Sequence, residues 1–166
     1  MKRFLLIPSV AIALTLSLAS AAPATAGTTT VAVSMTFAEP IALVPGIENS
    51  CGVPPNQGLC GSGEVIPFGH AVETIIFGGA CGGGCDLRTI NLAGGSIISH
   101  EIFSNPMCPA VCGSRGFGFP SSGTVADVIV GGTGSFTRAS GDLSGSVHAA
   151  GVAGVAQLSG AITLTN

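Results

Sequence analysis

Past residue 26, no stretch of a dozen residues in this chain carries the helical apolar spacing i, i+3, i+4, i+7 free of Gly, Pro and β-branched runs. With 26 Gly and 10 Pro in 166 residues, the interruptions are too frequent for three helical turns to accumulate. What recurs instead are short runs rich in Val, Ile, Thr and Phe, bounded by Gly, Ser, Asn and Pro. Eight of them read as strands: residues 28–37, 63–67, 69–77, 88–92, 96–103, 124–130, 135–147 and 153–164. Gly94-Gly95 has the form of a two-residue hairpin turn, since both positions can take positive φ. Gly131-Gly132-Thr133-Gly134 separates two runs in the same manner. Eight short strands joined by turns predict an all-β domain, a sandwich or a closed barrel.

The first 26 residues stand outside that pattern. Lys2 and Arg3 precede an apolar stretch from Phe4 to Leu18, and Ala24-Thr25-Ala26 is a small-residue cleavage site. The stretch is shorter than the ~20 residues a spanning helix requires. The expectation is therefore a secretory signal cut after Ala26, a secreted product, and no membrane attachment afterwards. Residues 27–62 then hold an N-terminal strand and a Cys/Pro-rich loop, residues 63–166 form the barrel body, and 27–166 make one domain.

Cleavage removes two of the five basic residues and leaves Arg88, Arg115 and Arg138 against eight acidic residues, a formal charge of −5. Three arginines and no lysine cannot build a nucleic-acid-binding face. Only 8% of residues are charged and the mean hydropathy is +0.67, which excludes a disordered chain. The glycines lack the period of three that collagen demands. With neither Trp nor Tyr, the chain also lacks the usual aromatic platform for sugars.

Six cysteines form three close pairs, Cys51 with Cys60, Cys81 with Cys85, and Cys108 with Cys112. In an exported chain an even count reads as disulfides, and nearest-neighbour pairing is expected because each pair lies in a Gly- or Pro-rich loop. A zinc site from Cys81, Cys85, Cys108 and Cys112 has permitted spacing, but an oxidising exterior argues against it, so no metal and no cofactor is expected. The connections 39–62 and 104–123 are long, carry a cysteine pair each, and are expected to crown one end of the barrel.

The C-terminal third reads Gly131-Gly132-Thr133-Gly134-Ser135-Phe136-Thr137-Arg138-Ala139-Ser140-Gly141, after the β-branched Val128-Ile129-Val130. This G-G-T-G-x-F-x-x-A-x-G pattern resembles that of the dirigent and allene oxide cyclase proteins and their bacterial secreted relatives. Arg88-Thr89-Ile90-Asn91-Leu92 and Leu158-Ser159-Gly160-Ala161-Ile162-Thr163-Leu164 are similar to further strands of that family. The resemblance implies an eight-stranded antiparallel β-barrel of calycin type, a homotrimer, and an interior that holds an apolar guest. Family members commonly read A-R-G where this chain has Ala139-Ser140-Gly141, so dirigent chemistry does not transfer. On physical grounds alone, Gly131 and Gly132 suit a tight turn, Phe136 can plug the barrel end, and Gly141 lets the next strand bend.

No G-x-S-x-G and no H-E-x-x-H occurs, and Glu73 with Glu101 is a carboxylate pair of unfixed separation. Charged residues inside strands are the remaining candidates, since a barrel strand turns alternate residues inward and an inward charge needs a partner. Arg88, Glu101 and Asp127 each alternate with apolar neighbours. Either those faces are the barrel exterior, or Arg88 pairs structurally with a carboxylate, or the three make a lumenal cluster with His70 at its rim, orienting a small hydrophobic ligand. His148 and Arg115 read as loop or surface residues. Two functions stay open: a secreted barrel that binds or templates a small hydrophobic molecule or serves a non-catalytic extracellular role, and a cofactor-free cyclase or isomerase acting on an apolar substrate in the lumen.

Overall fold

The computed structural model describes residues 27–40, 53, 57–104, 121–150 and 153–165. Eight strands run in chain order: β1 (Thr28–Pro40), β2 (Gly58–Ile66), β3 (Gly69–Ala80), β4 (Cys85–Leu92), β5 (Gly95–Ser104), β6 (Ser121–Gly132), β7 (Ser140–Ala150) and β8 (Ala153–Thr165). Each pairs antiparallel with its neighbour, and β8 returns to β1 to close a barrel. The closing seam runs from Thr28 opposite Thr165 to Pro40 opposite Ala153, so no long edge is left unpaired. The proposed signal, residues 1–26, lies outside the described residues.

Alternation sorts the side chains. On β1, Val33, Met35 and Phe37 are buried while Ser34 and Thr36 are exposed. The same period on β8 buries Ala156, Leu158 and Ile162. Together with Val65, Ile90, Ile97, Ile129 and Leu143, these fill the barrel interior as one apolar core.

The two ends differ. The 67–68, 93–94 and 133–139 connections close one end with short turns. There Phe136, 4% exposed, packs edge-on against Phe68 with ring centroids 5.3 Å apart. A short 3₁₀ turn, Gly134–Phe136, carries it. Thr133 anchors that turn to β5: its Oγ1 accepts from Ser96 N at 3.0 Å, and its own N–H donates to Ser96 O at 2.9 Å. The Gly/Thr/Phe motif thus builds a lid. At the opposite end lie the ends of β1, β2, β5 and β6 that segments 41–57 and 105–120 join, together with the 81–84 turn.

Three expectations shift. Strand β7 starts at Ser140, not at residue 135, because positive φ at Gly134 (57°) and the Thr137 Oγ1 bond to Gly134 O fold the chain into the 3₁₀ turn. The hairpin turn is Ala93-Gly94, since Gly95 already pairs with Leu92. The two long connections are shorter than expected: Glu39 belongs to β1, residues 58–62 with Cys60 to β2, Ser104 to β5 and residues 121–123 to β6. Cys81 and Cys85 are joined by a disulfide, which removes both from any zinc site. Cys60 is also disulfide-bonded, whereas Cys51, Cys108 and Cys112 lie outside the described residues.

Candidate functional site

Among the described residues, one guanidinium sits in the barrel interior. Strand alternation buries Asp86, Arg88 and Ile90 of β4, and Arg88 is 0% exposed. Adjacent strands bring acids to it. Register places Glu101 opposite Asp86 on one side and opposite Asp127 on the other, so β4, β5 and β6 converge at one level. Arg88 Nε donates to Glu101 Oε2 at 2.7 Å and lies 3.2 Å from Asp127 Oδ2. Its Nη2 also pairs with Glu101, and its Nη1 pairs with Glu73 of β3. All four side chains are sealed from solvent. A fourth carboxylate, Glu39 of β1, is buried too and hydrogen-bonds Glu73.

One positive charge therefore faces four carboxyl groups, in a medium where unpaired charge is costly. Protons make up part of the difference. Burial, then the charge of Glu39, its hydrogen bond and the charge of Glu101, push the Glu73 carboxyl up to about 8, against the opposing pull of Arg88. Burial by itself would lower the Arg88 pKa, but Glu73, Glu101, Asp127 and Glu39 outweigh it and hold the guanidinium firmly charged. Room for the Glu73 carboxylate comes from β2. Gly61 faces it across the ladder, and a methyl at that position would overlap Glu73 Oε1.

The cluster lies toward the barrel end that carries the 81–84 turn, and a cavity of about 400 Å³ opens there. Phe77, Ile102 and Phe103 give it apolar walls, Gly83 and Gly84 give it backbone, and Cys85 gives it a sulfur. Asp86 and Glu101 complete its wall, with their carboxylates turned into the barrel. Asp86 is positioned by Gly78, whose N–H donates to Oδ1 at 2.8 Å across a register shift between β3 and β4. Glu101 belongs to both structures: it binds Arg88 inside and lines the cavity outside. A second hollow, about 340 Å³, lies on the outer face of β1, β7 and β8 and is lined by uncharged residues including Ser34, Ser144 and Gln157.

Arg88, Glu101 and Asp127 are brought together inside the barrel, where Arg88 is paired with buried carboxylates. His70 is not. Alternation turns it outward on β3, where Nδ1 sits 3.6 Å from Glu64 on an exposed surface. Arg138 and Ser140 are both exposed beyond the Phe136 turn, so Arg138 does not reach the interior. His148 is exposed on β7, and Arg115 lies outside the described residues. Glu39 is the member that sequence reasoning left out, and Glu73 entered it only as a carboxylate of unfixed separation from Glu101. A signal for Glu39 existed, because it continues the Val33, Met35, Phe37 alternation. Glu73 shares a face with Ala71 and Ile75, both buried. Comparisons with protein-family models, with curated proteins and with solved structures find no match for this chain.

Proposed function

We propose that this chain is an exported β-barrel that binds a small, mainly apolar molecule in the cavity beside Glu101, without transforming it. The observation that carries this reading is the cavity itself: about 400 Å³, with Phe77, Ile102 and Phe103 in its wall beside the glycine backbone of residues 78, 83 and 84. That volume falls in the range of small-molecule sites, which pair apolar linings with a few placed polar groups. The glycine backbone in the wall favours a guest with one hydrogen-bonding group at one end. The resemblance of residues 131–141 to dirigent and allene oxide cyclase proteins supports the same reading, since those barrels hold apolar guests.

The test uses N-phenylnaphthylamine, an apolar amine whose fluorescence rises out of water. Saturable binding is expected, weakened about tenfold or more by Phe103→Ala, which removes one aromatic wall. Untargeted mass spectrometry of the purified protein should then identify a co-purifying apolar molecule. Absence of saturable binding, or binding indifferent to Phe103→Ala and Phe77→Ala, would sink the proposal.

A second reading rests on one observation, a buried carboxyl that keeps its proton up to about pH 8. Such a group is suited to general acid catalysis, as a cofactor-free cyclase or isomerase would need. Glu73 communicates with the cavity through Arg88 and Glu101. Its complete burial favours binding over turnover, because a guest in the cavity does not reach it. On the catalytic reading, Glu73→Gln abolishes conversion of the identified guest while leaving its affinity intact.

A further inference from the structure

The cavity wall holds a feature that neither binding nor the buried ion cluster uses. The Cys81–Cys85 disulfide closes a tight hairpin whose residues 81–84 are all exposed. Cys81 adopts φ +52°, and it is the sole non-glycine with positive φ among the described residues. A side chain bearing a Cβ is disfavoured there, so the hairpin is held against its local preference. The two sulfurs have different surroundings. Cys81 Sγ lies 3.6 Å from Nδ1 of His100 on the neighbouring β5, whereas Cys85 lines the cavity with Asp86 and Glu101. An imidazole stabilises a thiolate by hydrogen bonding and, when protonated, by charge.

We propose that Cys81–Cys85 is a thiol–disulfide exchange site, entered from the cavity, with Cys81 as the leaving thiolate and His100 as the group that stabilises it. The reductant is a small dithiol. Its first thiolate attacks Cys85 Sγ and forms a new S–S bond there. The Cys81–Cys85 bond breaks, and its electron pair goes to Cys81 Sγ, which is held by His100 and then protonated. The second thiolate of the reductant attacks the first dithiol sulfur, closes the oxidised cyclic disulfide and releases Cys85. The balance is two cysteine thiols gained and one dithiol oxidised. Run backward, the same steps make reduced Cys85 the nucleophile toward an incoming disulfide, after which the Cys81 thiolate attacks Cys85 Sγ, re-forms the Cys81–Cys85 bond and releases the dithiol. Exposed and strained disulfides are the labile ones, which fits exchange better than permanent bracing. The inference stands on the hairpin and His100, independently of any guest in the cavity.

The test takes the full exported chain through a graded dithiothreitol series, quenches with iodoacetamide and reads each cysteine by peptide mass spectrometry. Cys81 and Cys85 should open before the Cys60 disulfide, with the far-ultraviolet β signal unchanged. His100→Ala should slow that opening about tenfold, and His100→Lys should recover most of the loss. With glutathione as a one-thiol probe, the trapped adduct should sit on Cys85. Opening of Cys81–Cys85 only together with loss of the β signal overturns the proposal, as does a rate unaffected by His100→Ala. An adduct mainly on Cys81 overturns the assigned direction of attack, and retention of the opening rate in that case would leave His100 no role.

Discussion

Arg88 is the residue on which the interior chemistry turns. It pairs with Glu73, Glu101 and Asp127 in a space closed to water. Removing one partner of a buried ion pair leaves the others uncompensated, at roughly 3–5 kcal/mol. Arg88→Leu should therefore lower the urea midpoint sharply at pH 7 and less so at pH 5, where the stranded carboxyls can take up protons. Glu73 makes an opposite-facing claim about pH. Its folded pKa, about 8, exceeds the ordinary 4.5, so the folded state holds a proton that the unfolded chain has released. The stabilisation is complete below about pH 4.5, declines as pH rises, and is gone above about 8. The slope is at most ~1.4 kcal/mol per pH unit. Glu73→Gln keeps the neutral shape and should flatten that decline in urea titrations between pH 5 and 8. A wild-type stability that instead rises across this window would show that Glu73 ionises inside the barrel.

At the scale of elements, the decisive unit is the turn from Thr133 to Ala139. Strand β6 bulges as it ends, since Ile98 pairs with Gly131 while Ser99 pairs with Ile129. Gly131 takes φ 147° at that bulge, and the chain then lifts Phe136 over the barrel mouth. The chain re-enters the sheet at Ser140-Gly141, where a side chain in place of Gly141 would overlap Ala161 O. Phe136→Ala should cost about 3–5 kcal/mol by chemical denaturation, the range for emptying a buried aromatic site. Probe binding at the far cavity should be unaffected after allowing for the unfolded fraction, because Phe136 does not line it. The motif was legible as a turn with an anchor residue. Its 3₁₀ form was not, because Ser135 to Val147 alternates well enough to pass for one long strand until Thr133 is seen bound to Ser96.

At the scale of the whole molecule, closure of β1 on β8 turns eight two-faced strands into an inside and an outside. The inside holds most of the acidic residues that the described chain contains: Glu39, Glu73, Asp86, Glu101 and Asp127 are buried, while Glu64 and Asp142 are exposed. An acidic composition thus reflects the lumen more than the surface. The outer face carries hydroxyls, alanines and scattered apolar side chains, among them Ile102, Val128 and Val130.

The sequence by itself determined the class of fold, and the reason is local. Period-two alternation and glycine-rich punctuation are properties of neighbouring residues, so they can be read without knowing the partner strands. It also narrowed the site to strand-borne Arg88, Glu101 and Asp127, because charge among apolar alternates is a local anomaly. Only the tertiary structure decided which face was lumenal, since alternation gives two faces and no label for either. Register decided the rest. Pairing over eight strands sends His70 outward, brings Glu39 and Glu73 to Arg88, and sets His100 beside Cys81. Those contacts join residues from 15 to 49 positions apart in the chain, and no short-range pattern encodes which strand will lie beside which.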